Sequence, residues 1–116
     1  MKDYYDEYVK YATRLILNND DYGNKSKVRA HNRAMKKLLL LEKEIIEAND
    51  TDLFDRLLQH EDERVKMYAC NLCVTMNYNV DNALQILKEL CVTSTEAPMI
   101  LGHCMRFIQS NGTCEY

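Results

Sequence analysis

The chain has 116 residues, 47% of them hydrophobic and 28% charged, and a formal net charge of -3. That composition suits one soluble globular domain with a real core and excludes the disordered and collagen-like classes. The negative balance gives no general attraction to nucleic acid or anionic lipid, and no apolar run is long enough to span a bilayer, so no membrane association is expected. Three Gly and one Pro leave few breakers for tight hairpins, while Leu, Lys, Glu, Asn and Met are plentiful. The expected fold class is therefore all-α.

The first helix is predicted from about Tyr4 to Leu17. Tyr4, Tyr5, Tyr8, Ala12, Leu15 and Ile16 recur on one side, and Asp3, Asp6, Glu7, Lys10 and Arg14 on the other. Residues 18–24 read as a break rich in turn formers. The second and longest helix runs from about Lys25 to Ala48 on a stripe of Val28, Met35, Leu38, Leu39, Ile45 and Ile46. Asn49-Asp50 or Thr51 ends it and caps a short third helix carrying Leu53, Phe54, Leu57 and Leu58. Asp62 then caps a fourth helix that reaches Met76 through Val65, Ala69, Leu72 and Cys73. A fifth is entered at about Asp81 with Ala83, Leu84, Leu87 and Leu90. The sixth carries Pro98 in its first turn and stops at Asn111-Gly112.

Six amphipathic helices with short joints make three antiparallel pairs. The division is one domain, with a Tyr-rich helix and loop over residues 1–22 and a helical core over 25–112. The joint from Leu57 to Val65 resembles the inter-helix turn of HEAT repeats, with Asp62, Val65 and Lys66 at the repeat's Asp, Val and basic positions and Glu63 in place of its usual Pro. From Asn32 to Gly112 the chain also resembles an uncharacterised bacterial family of small HEAT-like proteins. The matching residues include Leu57-Leu58, His60, Asp62, Val65-Lys66, Ala69, Leu87, Leu90 and Leu101. The resemblance implies an α-α superhelix and brings no catalytic residue with it.

Catalytic chemistry finds little support. Cys70 and Cys73 have C-x-x-C spacing, but both fall inside the fourth helix and no second ligand pair follows, so they read as core thiols. With acids at Asp3, Asp6 and Glu7 where a signal peptide would be basic, five Cys are expected as reduced thiols in a cytoplasmic protein. His60 ends a helix and reads as a donor to its last carbonyls; His31, on the apolar side of the second helix, reads as a satisfied, partly buried imidazole. Neither a cofactor nor a metal is expected, and the protein is read as a non-enzyme.

Binding residues are easier to nominate. Glu42 lies in the middle of an apolar stripe, where it either finds a partner among the N-terminal tyrosines, His31 and Arg14 or lines a groove. Lys25, Arg29, Arg33 and Lys36 share one face of the second helix, with Lys37 at its edge. Tyr4, Tyr8 and Tyr11 supply large amphipathic surfaces on the first. The expected partner is another protein, with a cognate bacterial toxin and an immunity role as the concrete form. Nucleic-acid binding through the basic stripe is the alternative.

Overall fold

The computed structural model describes residues 3–16 and 22–110. Among these residues the chain forms six helices: α1 (Tyr5–Ala12), α2 (Lys25–Ala48), α3 (Thr51–Leu58), α4 (Glu63–Thr75), α5 (Val80–Leu90) and α6 (Ala97–Ile108). The expected helix end at Leu17, much of the break that follows it, the stop at Asn111-Gly112 and Cys114 lie outside the described residues.

The helix starts follow local chemistry. Asn24 accepts from the Lys27 amide at 3.1 Å, Asp50 from Leu53 at 3.3 Å, and Asp62 from Arg64 at 2.8 Å. Each side chain satisfies a backbone donor that the first turn leaves free. Asn49, Asn77 and Asn79 hold φ 53°, the left-handed region that a short polar side chain tolerates. They end α2 and shape the joint between α4 and α5.

Consecutive pairs pack as expected, α1 on α2, α3 on α4 and α5 on α6, but α4 is the hub. It packs against α1, α3, α5 and α6. That position explains why α4 buries Val65, Met67, Ala69, Cys70, Leu72, Cys73 and Val74, residues spread around its circumference, where α2 and α5 keep a buried stripe and a polar back. α2 reaches the rest of the molecule chiefly through α1.

Two sequence expectations need correction. α1 stops at Ala12, not near Leu17. The Ile16 amide, which a continuing helix would point at the Ala12 carbonyl, instead donates to His31 Nδ1 at 2.9 Å, and Thr13 Oγ1 bonds back to the Val9 carbonyl. Leu15 and Ile16 are buried all the same. His60 does not donate to the end of α3. The amides of Gln59 and His60 already serve the Arg56 and Leu57 carbonyls, and His60 Nδ1 accepts the Asp62 amide at 2.9 Å. It braces the turn as an acceptor.

Candidate anion-binding groove

α1 and α2 run antiparallel and are joined at both ends of their contact. At one end the Tyr8 hydroxyl donates to Glu42 Oε2 at 3.1 Å; at the other Ile16 meets His31. Between these links the two segments part into a groove of about 350 Å³ lined by Lys10 and Tyr11 from α1, by Arg14 just past its end, and by Ala30, Arg33, Ala34 and Lys37 from α2. Ala30 and Ala34 are one turn apart, and their lack of bulk opens the space. A second cavity of about 250 Å³ shares Arg14 and Ala30 with the first and adds Leu15, Ile16, Lys27 and Arg64. The two adjoin at Arg14 and Ala30.

Its charge is one-sided. Every ionisable side chain lining the first cavity apart from the Tyr11 phenol is a Lys or Arg. Among the described residues Lys10, Arg14, Arg33 and Lys37 form no ion pair; the Lys10 ammonium lies 5.5 Å from the Tyr11 ring centroid. Arg64, by contrast, is committed. It grips Asp62 through Nε at 3.0 Å and Nη2 at 2.7 Å, and its Nη1 donates to the Leu15 carbonyl at 3.1 Å, tying α4 to the end of α1. Those bonds hold the Asp62 carboxyl below its ordinary value. The helix dipole adds to the bias, because α2 has no acid in its first turn and carries Lys25 and Lys27 there. Anions are the favoured neighbours of such a terminus.

Of the residues nominated from sequence, Tyr11 and Arg33 line the groove. Lys25, Arg29 and Lys36 are exposed along α2 outside it, and Tyr4 is half-buried at the start of α1. Tyr8 is fully buried and Glu42 is 8% exposed, so both lie buried between the helices, where they bond each other. Burial lifts the Glu42 carboxyl to about 7, against the opposing hydrogen bond from Tyr8. Lys10 and Arg14 are the groove residues that the sequence did not nominate, and Lys37 stood only at the edge of the basic face. Their signal was present as two cation pairs at four-residue spacing, Lys10 with Arg14 and Arg33 with Lys37.

Other titratable groups have structural surroundings. Burial lowers the His31 imidazole, a shift the Glu96 charge opposes, and a neutral Nδ1 suits its role as acceptor for Ile16. Tyr22 packs edge-on to His31 at 5.9 Å and donates to Glu96 at 3.4 Å. Cys70 and Cys73 are buried in α4, where desolvation pushes both thiols up, Cys73 to about 12. Among the described residues no helix is long and apolar enough to cross a membrane. The chain matches no protein-family profile, no curated protein and no solved structure.

Proposed function

We propose that this chain is a non-enzymatic binding module whose α1–α2 groove grips an acidic surface on a partner protein. The observation that carries this reading is the set of four cations, two on each wall, with no described carboxylate to neutralise them. Like charges gathered at one depression repel one another, and a folded chain with a net charge of -3 had acids to spare for pairing them. A complementary partner removes that repulsion and gains orientation and association rate from it. The concrete form of the reading is a cytoplasmic inhibitor of a bacterial toxin. Small size, the acidic balance and the HEAT-like joint at Asp62 support that form.

Nucleic-acid binding is the second reading, favoured by the continuation of positive charge to Lys25, Arg29 and Lys36. A phosphate backbone following the groove the other way, however, meets Asp6 and Glu7 within a turn of Lys10, and Glu44 two turns beyond Lys37. A localised patch with acidic margins suits a protein of mixed charge better.

The test is amide chemical-shift mapping of the full chain against a poly-glutamate peptide and, separately, a random DNA duplex at low salt. Shifts from the peptide at Tyr11, Ala30 and Ala34, weakening as salt rises, are expected. Shifts confined to other faces, or a duplex that binds more tightly than the peptide, would remove the proposal. For the toxin-inhibitor form, co-expression with a toxin encoded beside this gene should restore growth.

A further inference from the structure

The register of α1 against α2 sets the spacing of the groove's charges. Tyr8 lies beside Glu42 and Ile16 beside His31, so residue numbers rise along α1 as they fall along α2. On that register Arg14 stands across from Arg33, Lys10 stands across from residues 39–40, less than one turn from Lys37, and all four line the same cavity. Arg33 and Lys37 are four residues apart on α2, which is about 6 Å of rise along a helix. The α2 wall thus carries two cations one turn apart, faced across the groove by Lys10 of α1 and by Arg14 in the turn that follows it.

We infer that the occupant of this groove is an acidic helix of a partner protein, lying along it with Asp or Glu at positions i and i+4. This rests on the reading of the groove as a site for an acidic protein. Carboxylates four residues apart on a helix have the same one-turn pitch as Arg33 and Lys37, and the first of them can sit between Arg33 and Arg14. An extended segment could reach similar spacing, but its backbone donors and acceptors need partners. The α2 wall offers none, because its backbone groups here are used within the helix, and among the described residues there is no sheet edge to extend. A helix arrives with its backbone satisfied and fits the furrow between two antiparallel helices as a third member. The Ala30 and Ala34 floor allows that approach. Asp6, exposed one turn before Lys10, further favours a basic residue on the partner helix about one turn past its acidic pair.

The inference is tested with two stapled helical peptides of equal composition, one with glutamates at i and i+4 and one with them at i and i+2, on opposite sides. Binding to the full chain is followed by fluorescence anisotropy at low and physiological salt, with a random DNA duplex as a third probe. The i, i+4 peptide should bind about tenfold more tightly than the other and lose about tenfold on R14Q/R33Q, each step being the affinity change of one well-placed charged contact. The variant should keep the wild-type melting temperature. Equal binding of both peptides would overturn the helical register while leaving the acidic-partner reading intact. No binding of either peptide would overturn both. A duplex that outcompetes the i, i+4 peptide would transfer the groove to nucleic acid.

Discussion

Tyr8 and Glu42 share a buried hydrogen bond, hydroxyl to Oε2 at 3.1 Å, that links α1 to α2 at one end of the groove. Its acceptor is a carboxyl raised by burial from 4.5 to about 7. Between those values the folded chain keeps a proton that the unfolded chain releases. Stability from this group is therefore full below pH 4.5 and lost as pH rises through about 7. The displacement corresponds to about 3 kcal/mol. Glu42→Gln keeps an oxygen acceptor for Tyr8 and removes the charge. It should match the wild type near pH 4 and exceed it by up to about 3 kcal/mol at pH 8, measured by urea denaturation. Parallel pH profiles for the two proteins would show that Glu42 ionises without cost.

Asp62 has two tasks, capping α4 and holding Arg64 against the Leu15 carbonyl. Asp62→Ala should cost about 1–2 kcal/mol from the cap alone. Asp62→Asn keeps the cap but loses the charge that grips Arg64, and should fall between. Because the Arg64 hydrogen bonds lower the Asp62 carboxyl, its contribution is present above about pH 4 and fades as pH drops through the lowered value. Equal melting temperatures for the wild type and both variants at pH 7 would contradict this.

Much of the fold can be read from local chemistry. The bounds of α2, the Asp62 cap, the burial of Cys70 and Cys73 and the partnering of Glu42 by an N-terminal tyrosine all follow from periodicity and the cost of lone buried charge. What escapes the sequence depends on contacts between distant segments. The early end of α1 is decided by His31, fifteen residues on in the chain, which takes the Ile16 amide. The acceptor role of His60 depends on which donor the turn leaves over. The groove belongs to neither helix alone: Lys10 and Arg14 look like an ordinary solvated face until the fold brings them to one cavity with Lys37 and Arg33.

The cysteines should separate by reactivity. Cys70, Cys73 and Cys104 are fully buried, and desolvation suppresses their thiolates, with Cys104 pushed up to about 11. Among the four described cysteines, iodoacetamide labelling of the native protein at pH 8, mapped by mass spectrometry, should modify the half-buried Cys91 first. The three buried thiols should react only after denaturant is added. Early modification of Cys70 or Cys73 would place them outside the core.

Ala30 offers a test of the groove that leaves its charge alone. Ala30→Met places a flexible side chain in the space shared by the two cavities. Because Ala30 is exposed and helical, the substitution should leave the melting temperature unchanged and still weaken an acidic ligand by about tenfold. Unchanged affinity would show that ligands touch the rim cations without entering.

Removing residues 1–16 should do more than delete one wall. Tyr8, Ala12, Leu15 and Ile16 are buried, and α1 packs against α2, α3 and α4. The shortened chain should lose cooperative melting and bind a hydrophobic dye, read by calorimetry and fluorescence. A sharp melting transition in that protein would place α1 outside the core.

The position of α4 at the hub also imposes an order of assembly. Its contacts with α3 and α5 close short loops, whereas its contact with α1 must bridge about fifty residues and is entropically the slower to form. The α3–α6 unit should condense first and α1 should dock onto it afterwards, carrying α2. The groove is then the last surface to appear during folding and the first to dissolve when the native state opens. Amides of α1 should accordingly exchange with deuterium before those of α4, and the reverse order would refute the sequence of events. A ligand that spans the two walls would close that opening, so the binding face would gain its rigidity from its occupant.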